Sequence, residues 1–323
     1  MLKDRPMSEF SWRIGHLEHL ESPWGNAGGV VKTIEDVAAM TKTGVGWIEH
    51  GSTSLDERAG YTINPITGEH QTVYCHNPTT GETGNCRSLD NPGMDKAEKD
   101  IPEMVAISHA NSKKLIANVV PVTGDPMSET RELVSRAYEA GADAVLLNPS
   151  CPNTEIEMLS DNLGDLKLVL DGLRKITERF APIFIRLAPS ESYDHKARVL
   201  SVAKNSSVVS AVFDTNTWGG YKPLDDKGRP ILQSPDGTGG KSGPAVANDA
   251  IEQVRWTNNI LGQNRDISLV MSIGIMDART LLRGMQAGAD AGAGTTFYYQ
   301  SKNGWEEDTN KLLHDLVKQQ LAA

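Results

Sequence analysis

The fold of this chain is constrained most by an alternation of apolar, β-branched runs with amphipathic stretches along its length. Eight runs have the character of strands, and they end in polar or glycine-rich turns: residues 22–29, 45–52, 114–121, 143–150, 182–189, 208–217, 267–275 and 290–297. These runs are too apolar for strands with one face in water. They predict a parallel sheet covered by helices.

Helical patterns fill the intervals between the runs, for example at residues 33–44, 128–141 and 277–289. The first begins at Thr33 with Asp36 three residues on, close to a capping box, and ends at Gly44. Eight strand–helix units in 323 residues fit a closed (β/α)8 TIM barrel. We therefore predict one α/β domain over residues 1–323, with an N-terminal extension and long active-site loops.

The alternative fold is an open, doubly wound sheet. That fold usually carries Gly-x-Gly-x-x-Gly after its first strand, and the turn here, GNAGGVVKT, does not match. Two loops, residues 53–93 and 217–243, are longer than ordinary strand–helix connections. In a barrel both would follow strands at the C-terminal face, where we expect them to serve as lids or substrate walls rather than as surface decoration.

Composition narrows the possible partners and the compartment. The net charge of −10 argues against nucleic acid or anionic membrane as a main partner. No run approaches the roughly 20 apolar residues of a membrane span, and the N-terminus lacks the apolar segment of a secretory signal. Three cysteines in a long chain suggest a reducing compartment, so we expect a cytoplasmic protein.

Cys75 and Cys86 bracket a turn-rich segment, which leaves a hairpin disulfide or a metal clip conceivable. We favour two free thiols, because no second close Cys or His pair completes a zinc site. No metal is expected. Cys151 differs from both, since it stands between two prolines where the fourth apolar run stops. In α/β proteins such strand ends carry the chemistry.

Polar residues at the strand ends would share one pocket if the barrel closes. Four of them are asparagines: Asn118, Asn148, Asn153 and Asn216. Amides both donate and accept hydrogen bonds, so the set suits a planar heterocycle with alternating C=O and N–H groups. For any one asparagine, local capping of the backbone explains its presence about as well.

The last two strand ends and one strand interior suggest an anionic ligand. Ser272 and Gly274 lie near the end of the seventh run, and Gly294 and Thr295 near the end of the eighth, where barrels commonly bind phosphate. Arg186 lies within the fifth run. It predicts either a structural ion pair with a neighbouring strand or a fixed positive charge beside a group that becomes anionic during turnover.

Three motifs together resemble the dihydroorotate dehydrogenase family, in particular its soluble class 1. They are NPSCPN at 148–153, GNAGGVVKTIEDV at 25–37 and GGKSGPA at 239–245. The resemblance implies FMN on a (β/α)8 barrel and Cys151 as general base on a mobile loop. A thiolate can take a proton if its pKa approaches the working pH, while the flavin accepts a hydride. The membrane-associated class carries serine at this position.

The resemblance also implies which residues contact each ligand. FMN contacts would come from Ala27, Gly28, Gly29, His50, Asn118, Asn148, Arg186, Gly243, Ser272, Gly274, Gly294 and Thr295. Substrate contacts would come from Asp90, Asn148, Asn153, Asn216 and Thr217.

Three of these positions depart from the family pattern. His50 and Arg186 replace the family's lysines, and Asp90 replaces an asparagine. Arginine retains the positive charge beside the flavin. A carboxylate at Asp90 would repel the carboxylate of orotate unless it is protonated or paired with His50.

The expected function is therefore FMN-dependent oxidation of dihydroorotate, or of a related cyclic amide, with Cys151 as base. Two alternatives stay open: an FMN-dependent reductase of an activated C=C bond, and a degenerate barrel without activity. The resemblance also implies a small-molecule substrate and either a homodimer or assembly with an electron-transfer partner subunit.

Overall fold

The computed structural model describes residues 11–150, 159, 161–262 and 265–322. Strands in this part of the chain are, in order, β1 Trp12–Ile14, β2 Leu17–Leu20, β3 Trp24–Asn26, β4 Trp47–Thr53, β5 Tyr74–His76, β6 Thr83–Asn85, β7 Lys114–Val119, β8 Ala144–Leu147, β9 Ile183–Leu187, β10 Val209–Asp214, β11 Trp218–Tyr221, β12 Gly239–Ser242, β13 Ser268–Met271 and β14 Ala291–Gly294. Helices are α1 Ile34–Met40, α2 Met94–Ala110, α3 Pro126–Glu139, α4 Leu163–Gly172, α5 Arg174–Arg179, α6 Tyr193–Asn205, α7 Ala247–Leu261, α8 Ala278–Gln286, α9 Thr296–Tyr299 and α10 Trp305–Ala322.

Eight of the strands close into a parallel barrel in the order β10-β13-β14-β3-β4-β7-β8-β9. Each coincides with one of the eight apolar runs, with β4 extending one residue beyond its run, so the predicted (β/α)8 barrel is confirmed. The helix expected after the first strand is α1, and Thr33 and Asp36 form its capping box. Thr33 accepts from the Asp36 backbone while the Asp36 carboxylate accepts from the Thr33 backbone, which satisfies two N–H groups at the helix start.

Side chains alternate between the inside of the barrel and the helix layer, as period-two strands require. The interior is filled by a cluster that includes Trp47, Ile116, Phe184 and Phe213. Their sequence neighbours, such as Ile48, pack outward against the helices in the larger core. The interior is thus packed toward the N-terminal end, and open volume is left at the other end.

The predicted N-terminal extension is the β1–β2 hairpin. Ile14, Leu17 and Leu20 join the interior cluster. The turn at Gly15 has φ +55° and donates to Ser268 Oγ at 2.9 Å, at the start of a barrel strand. The hairpin therefore closes the N-terminal end of the barrel.

The two long loops form one four-stranded antiparallel sheet, which we call the cap sheet, in the order β11-β12-β6-β5. Strands β5 and β6 come from loop 53–93, and β11 and β12 from loop 217–243. The central pairing joins the two loops, with Gly240 opposite Asn85 and Ser242 opposite Thr83. The cap sheet supplies walls to the cavity at the barrel mouth.

Cys75 and Cys86 are free thiols in the structure. Burial raises the pKa of Cys86 to about 11, so this thiol stays protonated. Among the residues described, no group of three or more His, Cys, Asp or Glu side chains could hold a metal ion. The described helices include none that is long and apolar enough to cross a bilayer.

Candidate active site

A cavity of about 330 Å³ opens at the C-terminal end of the barrel, between the strand ends and the cap sheet. Its walls come from the first barrel turn, from the ends of β8, β9, β10, β13 and β14, and from both long loops. Twelve of the residues predicted from the sequence line it: Ala27, Gly28, Gly29, Asp90, Asn148, Arg186, Asn216, Thr217, Ser272, Gly274, Gly294 and Thr295. The fold thus brings together residues that lie more than 260 positions apart in the sequence.

His50 is placed differently from the expectation. Its neighbour Glu49 points into the barrel, so the imidazole faces the helix layer, where it is 4% exposed. Burial lowers the pKa of His50 to about 4, which keeps the ring neutral. The structure thus places the His50 side chain outside the cavity lining, which corrects the expectation that it faces the cavity.

Two further predicted residues lie near the cavity but not in its wall. Asn118 is fully buried inside the barrel and donates to Glu49 Oε1 at 2.6 Å. Gly243 has φ +82°, and a Cβ there would lie 2.5 Å from Thr83 Oγ1. Its role is therefore to let the chain pass close beside β6, while its neighbour Ser242 reaches the cavity.

Cys151 and Asn153 lie outside the described residues. The chain that leads to them is well defined, since Ser150 is 1% exposed and donates from Oγ to the Arg186 carbonyl at 2.9 Å. The Ser150 carbonyl accepts from Asn216 Nδ2 at 3.0 Å. Ser150, which precedes Cys151 in the sequence, therefore lies beside two residues of the cavity wall, Arg186 and Asn216.

Arg186 forms a buried ion pair, which was one of its two predicted roles, but the pair crosses the barrel instead of joining neighbouring strands. Its partner is Glu49 on β4, and the contact is bidentate: Nη1 to Oε1 at 2.9 Å and Nη2 to Oε2 at 2.7 Å. Both side chains are at most 5% exposed. The guanidinium also lies 5.6 Å from the centre of the Phe213 ring. Arg186 still lines the cavity, so the pair forms part of its base.

Asp90 lies on the cavity rim and is paired with cations rather than with His50. Arg87 binds its carboxylate through Nε at 3.0 Å and Nη2 at 2.6 Å, and Lys32 Nζ binds Oδ1 at 2.6 Å. Partial burial acts to raise the pKa of Asp90, but the bonds from Arg87 and Lys32 outweigh it and the pKa is lowered. Asp90 is thus ionised and neutralised, and neither protonation nor His50 is needed.

Asn148 and Asn216 are linked to each other. Asn216 Nδ2 donates to Asn148 Oδ1 at 3.1 Å, and Asn216 Oδ1 accepts from the Thr217 backbone at 3.0 Å. These bonds orient both amides at the ends of β8 and β10. Two oriented amides, at the ends of the strands on either side of β9, can recognise a ligand with mixed donors and acceptors.

Several cavity residues were not among the ligand contacts predicted from the sequence. They are Lys32, Ser52, Val73, Tyr74, Asn85, Arg87, Leu89, Thr215, Ser242, Ile273, Ile275, Thr296 and Tyr299. Lys32 and Thr296 stand next to predicted positions and could have been found by extending those turns. Tyr74 and Asn85 reach the cavity only through the cap sheet, and no local sequence signal marks them.

Polar side chains converging at the C-terminal mouth of a parallel (β/α)8 barrel define the class of barrel enzymes whose site is built from strand ends. Within that class, the model of the dihydroorotate dehydrogenase family matches residues 14–316, so the chain belongs to this family.

Curated members of the dihydroorotate dehydrogenase family align with different shares of this chain. The catalytic subunit of dihydroorotate dehydrogenase B (NAD(+)) from Geobacillus kaustophilus is 30% identical over 218 residues, which is 66% of this chain and 64% of that protein. The corresponding subunit from Thermoplasma acidophilum is 26% identical over 92% of this chain and 90% of its own length. The chain thus matches slightly less than two thirds of the Geobacillus relative.

A quinone-type dihydroorotate dehydrogenase from Dichelobacter nodosus is 25% identical over 82% of this chain and 76% of its own. Among solved structures, the Eimeria tenella enzyme in complex with ferulenol aligns with a TM-score of 0.78 and 19% identity, over 100% of this chain and 86% of that one. At that identity the likeness shows the fold.

Proposed function

We propose that this protein is an FMN-dependent dehydrogenase of the class 1 type that oxidises dihydroorotate to orotate, with the barrel as its single domain. The observation that carries the proposal is the convergence of Arg186, the Asn148–Asn216 pair and the turns at Gly274 and Gly294 around one cavity. Membership in the dihydroorotate dehydrogenase family supports the reaction type. When bound, FMN would supply the acceptor for the hydride that leaves the substrate.

The described residues fit FMN in three respects. Asn118 Oδ1 is buried and accepts no hydrogen bond from the described chain, so it remains available to a ring N–H. Gly28 lines the cavity with backbone atoms alone, and a Cβ at this position would lie 2.8 Å from Asn118 Nδ2. Ser272, Gly274, Gly294 and Thr295 give the small residues and hydroxyls that suit a phosphate at the ends of β13 and β14.

The charge of the cavity suits anionic ligands. Its described lining contains three cations, Lys32, Arg87 and Arg186, and one anion, Asp90. Glu49 beneath the cavity balances Arg186, which leaves one net positive charge at the rim. In a protein of net charge −10, such a site favours the phosphate of FMN and the carboxylate of orotate.

The chain's own part in the reaction is to hold the substrate and to take a proton. Asn148, Asn216 and Thr217 would bind the amide and carbonyl edges of the substrate, which fixes its reacting carbons. Cys151, on the segment that follows Ser150, would accept the proton as a thiolate on the opposite side from the hydride acceptor. Each turnover removes one hydride and one proton from neighbouring carbons and forms one C=C bond.

The test is the visible absorption of purified protein before and after addition of dihydroorotate without oxygen. We expect a flavin band that bleaches. In Cys151→Ala the band should persist, and the rate of bleaching should fall by about 100-fold or more. Cys75→Ala, at a half-buried thiol outside the cavity lining, is the matched control and should bleach at the wild-type rate.

Each contrary outcome has a distinct meaning. A colourless protein would contradict FMN binding. A flavin band that persists in the presence of dihydroorotate would support FMN binding but exclude dihydroorotate as the substrate. Oxidation of the reduced protein by an enone would then favour a C=C reductase. Normal bleaching by Cys151→Ala would remove Cys151 as the base.

A further inference from the structure

Glu49 is a fully buried carboxylate inside the barrel whose contacts point to a role beyond packing. Both of its oxygens bind the Arg186 guanidinium, and Oε1 also accepts from Asn118 Nδ2. A lysine could not fill the same position, because only a planar guanidinium can bind both oxygens of one carboxylate side by side. The arginine on β9 and the glutamate on β4 therefore form one matched unit.

The backbone of Glu49 is fixed as firmly as its side chain. Asn26 Oδ1 accepts from the Glu49 N–H at 2.9 Å, and Asn26 Nδ2 donates to the Glu49 carbonyl at 2.6 Å. Asn26 is itself fully buried at the end of β3. Glu49 is thus held from three other strands: its backbone from β3, and its carboxylate from β7 and β9.

The pair lies directly against the cavity. A Cβ on Gly28, which lines the cavity, would be 2.9 Å from Glu49 Oε1 and 3.2 Å from Arg186 Nη1. Charges at the edge of this cavity, in an interior with little water, would act strongly on a ring system bound there.

We propose that Glu49 is a positioning residue: it orients Arg186 and neutralises it, so that bound FMN meets an ion pair instead of a free cation. The inference rests on the proposed function, because FMN must bind for the pair to act on it. A free cation beside the ring would stabilise the electron-rich form of the cofactor, and the Glu49 carboxylate opposes that effect.

The prediction concerns the midpoint potential of bound FMN. If Glu49 served only to stabilise the fold, its substitution would not change this potential. Glu49→Gln leaves Arg186 uncompensated and should raise the potential. Arg186→Gln leaves Glu49 uncompensated and should lower it. In each single variant the ratio of dissociation constants for oxidised and reduced FMN should change about tenfold, which corresponds to about 30 mV for a two-electron couple.

A matched control comes from a second buried ion pair, between Lys196 on α6 and Asp214 at the end of β10. Lys196 Nζ lies 2.6 Å from Asp214 Oδ1, and both side chains are 0% exposed. Because Phe213 points into the barrel, Asp214 faces the helix layer, where Thr257 donates to it at 2.5 Å. Asp214→Asn makes the same chemical change outside the barrel and should leave the potential unchanged.

The experiment is a redox titration of the FMN-loaded wild type, the two single variants, the Asp214→Asn control and the double variant Glu49→Gln/Arg186→Gln. The double variant keeps no unpaired buried charge, so it is expected to fold even if a single variant does not. Its potential should return close to the wild-type value. A fall in the double variant would show that Arg186 acts as an uncompensated cation, and would overturn the inference.

Equal potentials in the wild type and Glu49→Gln, with FMN bound to both, would also overturn it while leaving the proposed function intact. A wild type that binds no FMN would instead overturn the proposed function, and this inference with it.

Discussion

Arg87 binds both carboxylate oxygens of Asp90, through Nε to Oδ1 at 3.0 Å and Nη2 to Oδ2 at 2.6 Å. Its remaining terminal nitrogen donates to the Tyr299 hydroxyl at 2.9 Å, and that hydroxyl donates to the Gly29 carbonyl at 2.5 Å. The Asp90 carboxylate, which was expected from the sequence to repel an anionic substrate, is therefore part of a hydrogen-bonded bridge. The bridge joins the first long loop to the first barrel turn and to α9.

Asp90→Asn should strengthen the binding of orotate. The substitution leaves Lys32 and Arg87 without their shared anion, and the rim gains one positive charge. Because these groups are partly exposed, we expect an effect of about 1 kcal/mol, or roughly fivefold in the dissociation constant at low salt. The gain should shrink as salt rises, since salt screens exposed charges. Orotate titrations followed by flavin absorbance at two salt concentrations measure both effects.

The control for this change is Asp95→Asn, which removes an exposed carboxylate paired with Arg136 at 2.6 Å, outside the cavity lining. It should leave orotate binding unchanged. An equal effect of the two substitutions would show that net charge alone, and not the rim, controls affinity.

Gly28→Ala should weaken the retention of FMN by about tenfold or more. The new methyl group would lie 2.8 Å from Asn118 Nδ2 and 2.9 Å from Glu49 Oε1, distances at which a neighbour has to move. Those neighbours are fully buried and cannot swing into solvent. The flavin content of the purified variant and its dissociation constant for added FMN check this expectation.

Gly124→Ala serves as its counterpart, because a Cβ at Gly124 meets nothing within 4 Å. Full flavin retention in both variants would contradict the close approach of backbone and ligand at Gly28.

Stability should fall on acidification, partly through His50. Its pKa of about 4 in the folded state lies below the 6.5 of an exposed histidine, so the unfolded chain binds the proton more readily. The resulting stabilisation is complete above pH 6.5 and is lost as the pH falls toward 4. A shift of this size corresponds to about 3 kcal/mol in the free energy of unfolding.

Urea unfolding of His50→Gln between pH 7 and pH 4 tests this assignment. The variant should lose less stability than the wild type over this interval, by about 3 kcal/mol. The pKa of His16 is also lowered by burial, so some pH dependence should remain in the variant. His70→Gln, at an exposed position, should behave as the wild type does. Identical profiles for the His50 variant and the wild type would exclude His50 as a source of the acid sensitivity.

The barrel could be predicted because its signals are local. Each strand is a short, continuous apolar run, and a helix pattern with recognisable start and stop residues follows several of them, as at Thr33. The strand ends could then be assigned to one mouth by the geometry of parallel strands alone. This is why twelve of the predicted residues line the same cavity.

The errors and omissions have a different origin. In the stretch Trp47-Ile-Glu-His50, two adjacent residues are polar, and only one can point inward. The interior position of Trp47 assigns the inward face to Glu49, and that register became visible only in the closed barrel. The cap sheet was missed because its strands have three or four residues and pair across about 150 positions of sequence.

The cap sheet has a consequence for how this family member can diversify. Its central ladder joins Asn85 of one loop to Gly240 of the other, and Gly84 to Lys241. If one loop were lengthened, shortened or exchanged alone, backbone hydrogen-bonding groups of the other loop would lose their partners. At Tyr74, Asn85 and Thr217, substrate preference can therefore change by replacement of side chains. A change in the length of either loop requires a matching change in the other.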